Sequence, residues 1–374
     1  MTFAQTLTLY VGRRFLLATI TMLTALTLLV GLFDFIELLR RAATRPDAGF
    51  ALVASIAGLR MPFLSIQIMP FAILLGGILA FWRLTRSSEL IVARATGVSA
   101  WGFLLGPVVV ALVFGSVAIT AISPISSAML SRAERLEATF LRAGGGVTAL
   151  AGGRLWLRQA DRALEPGGVA IISGRPTRLL SSGRNLGFSI EEVTIWRLSA
   201  LDHSLQRLEV PRAVLLPGRW VLDNAVVFGA DRLPAAPAHL SLSTDLTPDR
   251  IEDSFASPDT LSFWALPGFI AVLEQAGFSA IRHRLQFQSL LALPALAVAM
   301  ALLAAGFSMR PSRMGGVAKM VGAGVAAGFA LFVLDKITAE FGESGALPVW
   351  LAAWAPSIAG LLLAMGLLLH LEDG

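Results

Sequence analysis

Cysteine is absent from the 374 residues, which removes disulfides, thiolate metal ligands and cysteine nucleophiles together. Lysine is almost absent too. Lys319 and Lys336 are the only two, and neither stands in the G-x-x-x-x-G-K-[ST] context that cradles nucleotide phosphates, so any ATP that drives this protein is hydrolysed by a partner. Charge is scarce overall, 15% of residues against roughly 25% in ordinary soluble domains. The arginines are dispersed and lack interleaved aromatics, which argues against nucleic acid. His239, His283 and His370 are too scattered to suggest a metal site. Asp202, His203 and Ser204 are chain neighbours, whereas a catalytic triad is assembled in space. No metal, cofactor or catalytic residue is expected.

What the chain has in excess is hydrophobicity, 55% of residues with a mean hydropathy of +0.72. After Arg13 and Arg14 the stretch FLLATITMLTALTLLVGLF runs 19 residues without a charge, long enough to cross a hydrocarbon core and too long for a signal-peptide core, so it reads as a retained anchor. Met61–Trp82 and Trp101–Ile122 follow; Phe287–Phe307, Val317–Leu334 and Trp350–Leu369 come near the C-terminus. Six spans in two groups of three put both termini on one side. Arg13, Arg14, Arg83, Arg86, Arg94, Arg310, Arg313 and Lys319 flank one face, against Arg40, Arg41, Arg45, Arg60 and Lys336 on the other. The first face is therefore cytoplasmic by a modest margin. The cations on the other face go against that trend.

Between about Ser123 and Arg284 the segments LWLRQA, VTIWRL and RWVLDNAVVF alternate, or nearly alternate, apolar and polar residues, and Gly, Pro, Asp and Asn punctuate them. These features predict an extracytoplasmic β domain. Ser126–Leu141 is expected to prolong the third span, and Leu261–Phe278 to form an amphipathic helix leading back to the membrane. The expected division is 1–125 for spans one to three, with a connecting helix near 85–97, then 126–284 for the β domain with flanking helices and 285–374 for spans four to six.

The stretch RSSELIVARATGVS interrupts the first group of spans. Ser87 or Ser88 can cap a helix, Glu89 lies at its positive end, and Arg94 with Gly97 marks its close. Leu90 and its apolar neighbours give it more apolar surface than a loop needs. It reads either as an interfacial connector or as a docking helix for a cytoplasmic partner.

The residues DFIELLRR (34–41), PFAILLGGILAFWRLTRSSELIVARATGVS (70–99), LWLRQAD (155–161) and LDKITAEFGESGALPVWLAAWAPSI (334–358) resemble the LptF/LptG family of lipopolysaccharide-export permeases, and its G member more than its F member. The resemblance covers nearly the whole chain. It implies an α-helical polytopic membrane protein with six transmembrane helices and an inserted periplasmic β-jellyroll, in the bacterial inner membrane. It also implies a heterodimer with an LptF-type permease over an LptB-type cytoplasmic ATPase dimer, joined by an LptC-type single-span protein. Such a machine extracts lipopolysaccharide and passes it to a periplasmic bridge. In such proteins the stretch matching Ser87, Ser88, Glu89, Leu90, Arg94 and Gly97 is the helix that couples to the ATPase. Arg40, Arg41 and Arg45 then fall near the outer headgroups, where guanidinium could meet lipid phosphate, unless they snorkel or pair with Glu37 and Asp47. Lys336 is a further lipid-binding candidate, against a local pair with Asp335. A non-transporting membrane scaffold and a permease for another envelope lipid are the rival readings.

Overall fold

The computed structural model describes residues 3–43, 49–87, 100–140, 148–151, 154–161, 168–182, 185–199, 204–229, 233–244, 246, 257–275, 278–308 and 317–372. The chain forms two compact units: Met1–Leu141 with Pro258–Leu266 and Ile281–Gly374, and Arg142–Ser257 with Pro267–Ala280.

In the first unit, helices α1 (Phe3–Ala42), α2 (Phe50–Arg86), α3 (Ala100–Val117) and α4 (Ser123–Phe140) come from the N-terminal segment. A π-turn, Ala118–Ile122, joins α3 to α4 without a break. The described residues contain six helical stretches long and apolar enough to cross a membrane, with α3, the π-turn and α4 counted as one. At 1.5 Å per residue the 40 residues of α1 reach about 60 Å, twice a hydrocarbon core of about 30 Å. The apolar run therefore marks only the middle of the helix. Beyond it, Leu38, Val53, Ile56 and Ala133 build a separate apolar cluster among the far ends of α1, α2 and α4. Prolonging the helices there needs no apolar face all round, only one buried stripe.

The main core of this unit gathers Phe15, Phe81, Phe103 and Leu104 with the alanine-rich face of the later helix Ile281–Ser308. Helices pack without a hydrophobic drive in lipid, so small residues that admit close approach carry the contact. Gly115 shows why: a Cβ there would stand 2.4 Å from the Pro294 Cα.

The segment 258–266 returns the chain to this unit. A 3₁₀ turn, Pro258–Thr260, opens it, and the helix expected over Leu261–Phe278 is limited to α5, Leu266–Gln275. Pro267, lacking an N–H, suits a first helical turn and sets that start. Before it, the Trp264 indole donates to the Thr120 carbonyl inside the π-turn (3.3 Å), and the Phe263 N–H donates to Ser123 Oγ (3.1 Å). The remaining helices are α6 (Ile281–Ser308), α7 (Val317–Glu343) and α8 (Val349–Glu372).

The second unit is a seven-stranded antiparallel sheet whose order follows the chain: β1 (Thr148–Ala151), β2 (Arg154–Ala160), β3 (Val169–Ser182), β4 (Asn185–Leu198), β5 (Ser204–Leu216), β6 (Arg219–Phe228) and β7 (Ala238–Ser243). The alternation of LWLRQA buries Leu155, Leu157 and Gln159 on one face and leaves Trp156 and Arg158 on the other. Pro217-Gly218 turns β5 into β6, with Gly218 at φ +80°, as the third position of a type II turn requires.

Although β2 and β6 are four places apart in the sheet, the Trp220 indole donates to Gln159 Oε1 (3.2 Å). Thr244 Oγ1 donates to the same oxygen (2.6 Å), and Gln159 Nε2 donates to the Ser243 carbonyl (3.3 Å). The sheet thus rolls until its early and late strands meet, and Gln159 is the polar stitch across that seam. Apolar residues of β2 to β7, with Leu273 and Phe278 from α5 and its following turn, fill the interior.

Replacing Gln159 by Leu would strand the Trp220 N–H and the Thr244 hydroxyl in that interior. A destabilisation of about 1–3 kcal/mol is expected, read as a lowered unfolding midpoint of the β unit by limited proteolysis in a urea series. Gln159→Glu, which keeps the acceptor, should recover part of the loss.

Candidate functional site

Two groups of polar residues stand out in the helical unit. The first lies at the far ends of α1, α2 and α4. On α1, Glu37 accepts from Arg40 Nε (2.9 Å), Arg40 Nη2 (2.9 Å) and Arg41 Nε (3.0 Å). Spacings of three and four residues place these side chains on one helix face. Arg60 of α2 donates to Asp34 (2.6 Å). Glu137 of α4 is buried and stands 3.5 Å from Arg41 and 3.8 Å from Arg60. Three carboxylates and three guanidiniums thereby balance, and they tie the three helix ends together. Arg40 remains 77% exposed, so its outward edge stays open to a further anion.

The second group lines a cavity of about 400 Å³ between α2, α6 and α7. Each helix contributes one stripe, with residues recurring three, four or seven positions apart: Phe63, Ile66 and Pro70 from α2, for example. The polar end holds Asp259, Arg282, Gln286, Asp335, Lys336 and Glu343. Gln286 Nε2 donates to Asp259 Oδ1 (3.0 Å), Arg282 Nε lies 3.5 Å from Glu343, and the Lys336 ammonium sits 5.5 Å from the centre of the Phe332 ring. Burial pushes the Asp259 carboxyl above its ordinary range; Lys336 pulls it down and Glu343 adds to the rise. Deeper in, the walls are apolar: Leu293, Leu296, Met300 and Leu331.

Of the residues singled out in the sequence, Arg40 and Arg41 join in the first group through Glu37, and Lys336 lines the second. Lys336 meets an aromatic face, as a cation does over the negative side of the ring. Ser87 closes α2: its hydroxyl donates back to the carbonyls of Arg83 (3.1 Å) and Leu84 (3.2 Å). Arg45, Ser88, Glu89, Leu90, Arg94 and Gly97 lie outside the described residues. Glu137, Asp259, Arg282 and Glu343 gave no sign in the sequence, because each meets partners on other elements. Arg60 gave a partial one, as a cation on the unfavoured face.

A family model described as "Lipopolysaccharide export system permease LptF/LptG" matches residues 9–370. The chain belongs to the LptF/LptG family. Among curated relatives, the lipopolysaccharide export system permease protein LptG of Escherichia coli (strain K12) is 26% identical over 377 residues, covering 96% of this chain and 97% of the relative. The protein of the same name from Haemophilus influenzae (strain Rd) is 22% identical over 385 residues, covering 99% of each. Both relatives carry the name of the G member, the one the resemblance favoured. The six apolar helices and the antiparallel β unit inserted between them give this LptF/LptG chain the fold class that its sequence implied.

Two expectations follow from the geometry. Removing Arg60 leaves Asp34 and the buried Glu137 short of a cation, so Arg60→Ala should lower the unfolding midpoint of the detergent-solubilised protein by the equivalent of about 1–3 kcal/mol, below the cost of breaking a fully buried pair. Adding Glu137→Gln should restore part of it.

The second concerns pH. Because the folded-state pKa of Asp259 is raised above 3.8, the native state holds that proton more tightly than the unfolded chain does. Its contribution is fully present below about pH 4 and is lost as pH rises through the raised value. Asp259→Asn should flatten that fall in thermal unfolding scans, and should raise the midpoint at neutral pH.

Proposed function

We propose that this chain is the G-type permease subunit of an ATP-driven lipopolysaccharide exporter in the bacterial inner membrane. The observation that carries the reading is the family match over residues 9–370, together with relatives named LptG that align along nearly their whole length. In this reading the chain is a transport subunit and no enzyme, with hydrolysis supplied by an LptB-type ATPase dimer. An LptF-type permease completes the cavity, and an LptC-type single-span protein receives the lipid for a periplasmic bridge. Both termini are cytoplasmic and the β unit is periplasmic, in keeping with the arginine and lysine count.

Arg40, Arg41, Arg45 and Lys336 meet the phosphates of the transported lipid. The exposure of Arg40 supports this role, since a phosphate can approach its free edge while Glu37 holds the rest of the fork. The segment Ser88–Gly97, led in from the end of α2 at Ser87, docks on the ATPase with Glu89 as its charged anchor and Leu90 in the apolar contact. A helix held by its partner's groove can pass force to α2 and α3, between which it lies in sequence.

Co-expression with candidate ATPase and partner permease genes, followed by reconstitution in proteoliposomes loaded with lipopolysaccharide, tests the reading. ATP-dependent release of lipopolysaccharide to a soluble acceptor is expected; hydrolysis without release, or release of phospholipid alone, sinks it. Glu89→Ala should weaken ATPase association by about 30-fold or more if its bond is desolvated on docking, corresponding to at least about 2 kcal/mol. Full association and full release in that variant would leave the segment a mere connector.

A further inference from the structure

We propose that the groove between α2, α6 and α7 binds one acyl chain of a glycerophospholipid whose headgroup carries a primary ammonium, and that Asp259 and Asp335 receive that ammonium. The inference goes beyond cargo transport, since it concerns a lipid seated inside this one chain. It rests on the shape of the groove and the charge at its mouth.

Polarity is graded along the groove. Arg282, Gln286 and Ser289 lead on α6 to Leu293, Leu296 and Met300, while Glu343, Lys336 and Asp335 lead on α7 to Phe332, Leu331 and Gly328. From Glu343 to Gly328 the wall is roughly 22 Å long at 1.5 Å per residue, enough for a headgroup and a chain reaching to mid-membrane, about 15 Å below the surface of a 30 Å core. Gly328 closes the apolar end: a Cβ there would fall 2.1 Å from Leu74 Cδ2, so α7 meets α2 directly at that point and parts from it above. The volume of about 400 Å³ lies within the range of about 300–1,000 Å³ of small-molecule sites.

The charges select the headgroup. Three carboxylates, Asp259, Asp335 and Glu343, face two cations, Arg282 and Lys336. Glu343 has Arg282 beside it, and Lys336 rests against Phe332, which leaves the mouth with a net negative charge next to apolar walls. Half-buried carboxylates in such surroundings need an added cation. An ammonium between Asp259 and Asp335 supplies it, and the adjoining phosphate reaches Lys336. The phosphate of a transported lipopolysaccharide would want the same lysine, so the two lipids exclude each other there.

The test uses the full chain in vesicles of phosphatidylcholine doped with phosphatidylethanolamine bearing a photoreactive acyl chain, against phosphatidylglycerol bearing the same chain. Labelling is mapped by peptide mass spectrometry. Phosphatidylethanolamine should label residues between Leu293 and Met300 or between Gly328 and Phe332 at least about fivefold more than phosphatidylglycerol, a ratio equivalent to about 1 kcal/mol. Ser289→Phe, which fills the groove, and Asp259→Asn with Asp335→Asn, which removes the charge, should each abolish that preference. Unlabelled lipopolysaccharide should compete with the label. Equal labelling by the two phospholipids, labelling elsewhere on the helices, labelling that survives Ser289→Phe, or lipopolysaccharide that fails to compete overturns the proposal. If Ser289→Phe does not yield monodisperse protein, Ala339→Leu fills the groove from the opposite wall and is judged by the same outcomes. The assay needs neither ATP nor partner subunits, so failure of the export reading leaves its result standing.

Discussion

In hydrocarbon an unpaired peptide group costs several kcal/mol, and water is not there to offset it. The whole of the first unit answers to that constraint. Its helices pair their own backbones, and the small residues along them let backbones approach where lipid gives no drive to associate, as Gly115 does against Pro294. The β unit obeys a different rule. It closes by rolling its sheet until Gln159 meets Trp220 and Thr244, so its cohesion comes from a buried apolar face and one satisfied polar seam. One chain thus carries two solutions to the same problem of peptide satisfaction, each suited to its own solvent.

The charged residues are concentrated where the helices outrun the apolar stretch. Glu37 alone engages two arginines, and Glu137 is set between Arg41 and Arg60. Networks of this kind hold helix ends in place while leaving part of each guanidinium outward. A site that must accept an anion and release it again benefits from cations that already have partners, because neither state leaves them bare. The mouth of the α2–α6–α7 groove has the reverse balance, with carboxylates in excess. The two places therefore favour different headgroup chemistry on the same set of helices.

Much of the fold was legible. Each apolar run marked a helix because spanning requires about 20 apolar residues, and alternation marked β2, β4 and β6 because one face of the sheet is buried. The full lengths of α1 and α2 were not, since past the hydrocarbon a helix needs only a stripe, and a stripe is easily missed beside a run. At the sites, Glu37 with Arg40 and Arg41 is local and could be read from spacing alone. The meeting of Arg60 with Asp34, or of Gln286 with Asp259, depends on how separate elements pack, which no window of sequence contains. Ser87 illustrates a different limit: a serine between two helical stretches can serve the end of one or the start of the next. In the structure its hydroxyl serves the end of α2.

The π-turn at Ala118–Ile122 amounts to one residue more than an α-helix would hold, and its Thr120 carbonyl is where Trp264 is fastened. Excising a single residue there would restore the regular helix, yet it would turn everything from Ser123 onward by about 100° and draw it back by about 1.5 Å. Ser123 would leave Phe263, and Glu137 would swing away from Arg41 and Arg60. Chain length between α3 and α4 is thus fixed in a way that the identity of most residues within it is not. A deletion in this stretch, invisible to any measure of hydropathy, would damage both the anchor of the returning segment and the charged cluster at the helix ends.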